Sequence, residues 1–158
     1  MNIKVGFGYD VHQLAEGESL ILGGVAIPHH KGTVAHSDGD VLIHAICDAI
    51  LGAANLRDIG YQFPDNSNEF KNIDSKILLK KTIDLLEQKG FKVGNVDCTL
   101  ALQKPKVKDF ITEMQSILAS IIKVNEEDVS IKATTTEKLG FEGREEGVSA
   151  YAVVLIYK

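Results

Sequence analysis

No residue of the run Ala150-Tyr151-Ala152-Val153-Val154-Leu155-Ile156-Tyr157 gives a strand a polar face. Successive side chains of a strand point to opposite sides of the sheet, so this segment needs cover on both. Helices of the same chain can supply one cover. The other calls for a partner, and another subunit would serve. The fold must therefore seat this strand in a sheet packed by helices on one side and by a second surface on the other.

The elements before it fit such a sheet. Ile3, Val5, Phe7, Tyr9 and Val11 alternate with small or polar residues and read as a strand. Leu20 to Pro28 reads as a strand pair with a turn or bulge at Gly23-Gly24. A helix starts near Asp40, capped by Ser37 or Asp38, and runs to about Ala54. Asn55 to Asn72 is a long polar loop, a length that usually goes with function or mobility. A second helix, Asp74 to Lys89, stops at Gly90. Phe91 to Leu102 is a strand interrupted at Gly94-Asn95, and Asp109 to Lys123 a third helix. Val129 to Thr135 and Val148 to Tyr157 are the last strands. The order β-β-α-α-β-α-β-β predicts one α+β domain over residues 1–158, its mixed sheet covered on one face by helices.

Composition narrows the function classes. With 44% hydrophobic and 25% charged residues, the chain reads as soluble and globular. No apolar run approaches the ~20 residues of a membrane span, and no signal-peptide pattern opens the chain. A cytoplasmic protein is expected, or a plastid-type one whose targeting segment has been removed. Cys47 and Cys98 stand alone among apolar residues, which predicts core packing rather than a disulfide or a thiolate metal site. The net charge of -5 speaks against nucleic-acid binding but leaves room for a compact anion held by local cations.

Asp10 and His12 lie two apart in the first strand, so they share a face, and His44 sits in the first helix. Two imidazoles and a carboxylate suit zinc, with a fourth position left for water or a substrate oxygen. The plainer alternative has Asp10 in a turn and the histidines in ordinary surroundings. Asp40 and Asp48 flank His44 at i−4 and i+4, so either could accept its other ring N–H. His36-Ser37-Asp38-Gly39-Asp40 leads into a helix start, which favours anions. Arg57-Asp58-Ile59-Gly60 and Phe63-Pro64-Asp65 give the long loop carboxylates for sugar-like hydroxyls. Lys104-Pro105-Lys106-Val107-Lys108 sets three cations before a helix, and Thr134-Thr135-Thr136-Glu137-Lys138 leads through glycines to Arg144. Hydroxyls, a carboxylate and cations in one segment are what a diphosphate and its cation require. Each segment also has a bland reading as a solvated loop or plain β-structure. Neither GxxxxGK[ST] nor GxGxxG is present.

Taken in order, Tyr-Asp-Val-His, Ala-His-Ser-Asp-Gly-Asp, Arg-Asp-Ile-Gly, Phe-Pro-Asp, Gly-Asn-Val-Asp, Pro-Lys and Lys-Ala-Thr-Thr-Thr-Glu-Lys-Leu-Gly-Phe resemble the 2-C-methyl-D-erythritol 2,4-cyclodiphosphate synthase family of the non-mevalonate isoprenoid pathway. The resemblance spans about Ile3 to Ile156. It implies a homotrimer, the sheets of three subunits packed round the trimer axis, with active sites between subunits. It implies a cytidine diphosphate ester substrate whose 2-phosphate attacks the β-phosphorus, so that CMP leaves. By resemblance Asp10, His12 and His44 hold Zn2+, and Glu137 holds Mg2+ or Mn2+ on the diphosphate. His36 and Thr135 match transition-state positions. Asp58, Ile59 and Gly60 match the segment for the erythritol hydroxyls, with Phe63, Pro64, Asp65, Asn66 and Ser67 along the same pocket and Ser37 on the substrate side. The stretch Leu102 to Lys108, with Lys104, Pro105 and Lys106, matches the cytidine diphosphate site together with Ala133 and Thr134. Phe141 and Arg144 match further substrate contacts. Some members carry a polar residue where this chain has Phe7, at a trimer-axis cavity suspected of binding isoprenoid diphosphates, so Phe7 argues against that site. His29 and His30 read as part of a solvated loop. Two rivals stand beside this reading: a zinc-dependent phosphohydrolase, and a non-catalytic nucleotide-binding module.

Overall fold

Seven strands and five α-helices make up the chain, described over residues 1–158 in a computed structural model. Strands β1 (Ile3–Glu16), β4 (Lys31–Thr33), β5 (Lys92–Ala101), β6 (Val129–Thr134) and β7 (Gly147–Tyr157) form one sheet in the order β4-β1-β7-β5-β6. Only the β5–β6 pair is parallel; β1 runs antiparallel to the whole of β7, Ile3 opposite Tyr157 and Gln13 opposite Gly147, and its last three residues pair with β4. Strands β2 (Leu20–Leu22) and β3 (Val25–Ile27) form a separate hairpin through Gly23 and Gly24. The strand pair read between Leu20 and Pro28 is thus present but outside the main sheet. The three residues of β4 are too few to show a period and were not foreseen.

Helices α1 (Val41–Ala53) and α4 (Ile111–Ile122) pack on one face of the sheet, and α3 (Ser75–Gln88) packs against both of them. Beneath them Val148, Ala150, Ala152, Val154 and Ile156 of β7 are buried, while Tyr151, Val153 and Tyr157 on the other side are exposed. The two-sided last strand has found one of its two covers. On β1 the apolar alternation points the other way: Ile3, Val5, Phe7, Tyr9 and Val11 all face outward. The inward positions are Gly6 and Gly8. A Cβ at Gly6 would collide with the carbonyl oxygen of Ala49, and one at Gly8 with that of Ala45. The β1 backbone therefore lies directly against α1, and this approach sets everything further along the strand.

Asp40 caps α1, not Ser37 or Asp38. Its Oδ1 accepts from the N–H of Ile43 at 3.0 Å and of Gly23 at 2.9 Å, and its Oδ2 from Gly24 N–H at 2.7 Å. One buried carboxylate thus closes the helix and clamps the β2–β3 turn to it. The long loop is less bare than its polarity suggests, holding the short helix α2 (Ile59–Gln62) and a 3-10 turn at Asn68–Phe70. A further one-turn helix, α5 (Gly140–Gly143), sits in the glycine-rich connection before β7. The interruption at Gly94-Asn95 is a β-bulge. Cys47 and Cys98 are free and buried, with burial pushing both thiols up to about 12, as suits packing residues. His29 departs from the solvated-loop reading: it is half-buried beside His30, and its Nε2 is enclosed without a partner. No helix is long and apolar enough to cross a membrane.

Candidate active site

Past Gly8, the inward side of β1 presents Asp10 and then His12. The close β1–α1 contact brings His44 over them. Asp10 Oδ2 lies 3.0 Å from His12 Nδ1 and 3.1 Å from His44 Nδ1, and one ligand atom from each residue lies within 4.8 Å of the others. Burial opposes charge on Asp10, yet the two imidazoles outweigh it and hold its carboxyl below the usual range. Burial likewise disfavours a charged His44, but the hydrogen bond and charge of Asp10 prevail and raise its pKa. The triad is a place that draws positive charge. His12 Nδ1 is enclosed, and the polar atom beside it is Asp10 Oδ2 at 3.0 Å. Two imidazoles and a carboxylate whose ligand atoms lie within 4.8 Å of one another fit a divalent metal of the zinc type.

The other ring nitrogen of His44 finds neither Asp40 nor Asp48. Asp40 is committed to the cap. Asp48 accepts the backbone N–H of Ile59 at 2.8 Å and so pins the start of α2. Residues at i±4 share a helix face, but here both carboxylates satisfy backbone amides of neighbouring segments instead. His44 Nε2 lies 2.9 Å from Ser75 Oγ, at the first residue of α3, with Ser37 Oγ further off at 3.3 Å. Ser75 Oγ in turn lies 2.5 Å from Asp38 Oδ1. Ser75 and the role of Asp38 escaped sequence reasoning, because only the packing of α3 on α1 brings residue 75 to residue 44.

The triad opens into a cavity of about 290 Å³ lined by His12, His36, Ser37, His44, Ile59, Gly60, Phe63 and Asp65, with Phe70, Ile73 and Leu78 as an apolar wall. Most of the first-half site residues thus meet in one place. His36 is exposed, its Nε2 3.2 Å from the carbonyl of Ser67. Asp58 precedes α2 without capping it and is exposed beside the cavity mouth. Pro64 and Asn66 are exposed on the same loop.

The second-half residues gather elsewhere. Pro105, Lys106, Val107, Lys108, Ala133, Thr134 and Thr135 line a cavity of about 220 Å³ between the β5–α4 connection and the end of β6, with Lys104 exposed nearby. Thr135 Oγ accepts the N–H of Glu137 at 3.3 Å, and Glu137 is exposed with a left-handed backbone. A lone exposed carboxylate suits a Mg2+-like cation that draws its remaining ligands from phosphate and water. Phe141 borders a third recess beside His12 and Gly147. Arg144 is paired with Glu146, Nε to Oε1 at 2.9 Å, so an anion there must compete for it.

A model of the YgbB family matches residues 3–157. The chain belongs to the YgbB family. Relatives named 2-C-methyl-D-erythritol 2,4-cyclodiphosphate synthase include one from Bacteroides fragilis, 64% identical over 156 residues that cover 99% of this chain and 98% of the relative. Another, from Phocaeicola vulgatus, is 65% identical over 158 residues, covering 100% of this chain and 99% of the relative. Among solved structures, a bifunctional IspDF from Campylobacter jejuni matches with a TM-score of 0.94 and 47% identity, over 98% of this chain and 42% of that one. A Plasmodium falciparum IspF in complex with CDP matches with a TM-score of 0.85 and 34% identity, over 98% of this chain and 96% of that one. YgbB membership confirms the family resemblance and the α+β fold, and it makes the activity that of a CMP-releasing, cyclising lyase of isoprenoid biosynthesis.

Proposed function

We infer that this chain, acting as one synthase domain, converts 4-diphosphocytidyl-2-C-methyl-D-erythritol 2-phosphate into 2-C-methyl-D-erythritol 2,4-cyclodiphosphate. The 2-phosphate oxygen attacks the β-phosphorus, the bond to the α-phosphate breaks, and CMP leaves with the bridging oxygen. The observation that carries the reading is the Asp10–His12–His44 triad, two of whose residues, His12 and His44, line the 290 Å³ cavity. Zn2+ on the triad and Mg2+ or Mn2+ on Glu137 would supply Lewis-acid charge neutralisation of the phosphates.

The chain's own residues have the remaining tasks, which are positioning and electrostatics. Asp58, exposed and making no capping bond to α2, accepts hydrogen bonds from the erythritol hydroxyls, and Asp48 holds the backbone N–H of Ile59 in place. Phe63, Phe70 and Leu78 exclude water from one wall. His36 and Thr135 donate to oxygens on which charge builds in the transition state. Lys104 and Lys106 offset the charge of the cytidine diphosphate, with Ala133 and Thr134 beneath it.

A homotrimer is part of this proposal. Its support is the uncovered apolar face formed by Val5, Phe7, Tyr9, Tyr151, Val153 and Tyr157. Apolar area of that extent on a sheet face marks an interface. It also rests on the two cavities, each holding half of the residues for one substrate. An aqueous compartment such as the cytoplasm suits a substrate and product so highly charged.

The test is product analysis with the purified protein, zinc and magnesium. Equal amounts of CMP and a cyclic diphosphate, seen by phosphorus NMR, are expected. Inorganic phosphate or a linear product would support the phosphohydrolase reading instead.

A further inference from the structure

We propose that Ser75 and Asp38 form a positioning relay that keeps the proton of His44 on Nε2 and so leaves Nδ1 free for metal. The inference extends the reading of Asp10, His12 and His44 as metal ligands and rests on it.

Hydrogen-bond polarity carries the proposal. Asp38 is anchored as an acceptor on both oxygens: Oδ2 takes the Ser75 backbone N–H at 2.9 Å, and Oδ1 takes that of Asp40 at 3.1 Å. The Ser75 hydroxyl has a single proton, and it donates that proton to Asp38 Oδ1, 2.5 Å away. Ser75 Oγ can then only accept from His44 Nε2, 2.9 Å away. Ser37 Oγ also faces Nε2, but at 3.3 Å and while accepting from Gly39 N–H at 3.3 Å, so it is the weaker voice. Ser75 is fully buried and His44 nearly so, which shields this contact from bulk solvent.

The relay opposes a real competitor. Asp10 Oδ2 lies 3.1 Å from His44 Nδ1 and would favour a proton on the very atom that must ligate. An acceptor at Nε2 fixes the tautomer and the ring plane against that pull. Asp38 is itself held firmly, its N–H donating to the carbonyl of Ile73 at 3.1 Å, so the relay is built into the junction of two loops. By this account Ser75 and Asp38 never touch substrate. They act through His44.

Zinc affinity, measured on the full chain by competition with a chromogenic chelator, tests this directly. Ser75→Ala and Asp38→Asn should each bind zinc about 10–100-fold more weakly. In the zinc-loaded parent, NMR of the histidine rings should show one Nε2–H protected from exchange with water. Ser75→Ala should release it at least tenfold faster, an effect that loss of stability elsewhere would not produce in a protein still folded. His44→Ala serves as the control for the underlying reading. If His44→Ala loses zinc while Ser75→Ala and Asp38→Asn bind as the parent does, the relay is wrong and the ligand set stands. If His44→Ala itself binds zinc as the parent does, both ideas fall. A protected ring proton that ignores Ser75→Ala would also overturn the relay.

Discussion

The cavity at the β1–α1 junction and the cavity between residues 102–108 and 133–135 share no lining residue, and they differ in kind. In the first, the titratable groups at the triad are buried or half-buried, mutually oriented and backed by further hydrogen bonds. Asp10, His44, Ser75 and Asp38 form one connected set. In the second, the lysines and threonines are exposed and bonded, if at all, to near neighbours in sequence. The first region is bonded together within one chain; the second is open to solvent. Preorganised buried charge suits a metal centre, whereas a shallow cationic shelf suits a ligand brought to it by another surface.

The largest expected effect would strike the first region. His44→Ala leaves two protein ligands, and zinc should be lost from the purified protein, with turnover below about a thousandth of the parent's. The helix should survive, since the side chain packs at the cavity edge. Full zinc occupancy by elemental analysis would remove the triad's claim to be the metal centre.

Next comes the relation between the halves. Asp58→Ala damages the first region and Lys106→Ala the second, so each variant alone should be inactive. Mixed subunits of a trimer with shared sites would rebuild about a quarter of the active sites from an equal mixture. Activity that stays absent after mass spectrometry confirms subunit exchange would mean that both halves serve from the same chain.

How far each region was legible in the sequence follows from the range of its contacts. The triad could be read because Asp10 and His12 are fixed by strand period and His44 by its motif. The second region could be named segment by segment, since Lys104 to Lys108 and Thr134 to Glu137 are local runs. What stayed hidden were partners brought in by packing. The i±4 rule offered Asp40 and Asp48 to His44, but Gly23, Gly24 and Ile59 claimed them, and residue 75 took the role. The outward aim of Ile3, Val5 and Tyr9 was not legible from their alternation alone. Apolar residues normally mark the core side, but here Gly6 and Gly8 face the helix, where any side chain would meet the carbonyls of Ala49 and Ala45.

A smaller effect sharpens the picture of the open half. Thr135→Val keeps the branched shape suited to a strand end and deletes only the hydroxyl. A single preorganised donor to a transferring phosphoryl group contributes roughly 3 kcal/mol, about a hundredfold in rate. Turnover should fall by that factor with KM little changed, because the bond strengthens mainly in the transition state. The hydroxyl also accepts Glu137 N–H, so a small loss of order in that exposed turn is expected. A raised KM with unchanged turnover would make Thr135 a ground-state contact.

The smallest effect concerns stability, and it probes what burial costs the first region. Asp40 is fully buried; burial lifts its carboxyl to about 6, although the N–H groups of Ile43, Gly24 and Gly23 pull the other way. A carboxyl raised in the folded state binds its proton more tightly folded than unfolded. Stability is therefore highest below about pH 4 as far as this group is concerned, and falls as pH rises through about 6. The drop is at most about 3 kcal/mol from the size of the shift. Asp40→Asn cannot titrate, so urea unfolding of parent and variant between pH 4 and 7 isolates the term, other groups cancelling in the difference. The parent's stability relative to the variant should decline with rising pH. A relative gain would mean that three backbone hydrogen bonds outweigh desolvation, and that the carboxylate closing α1 strengthens the fold as an anion.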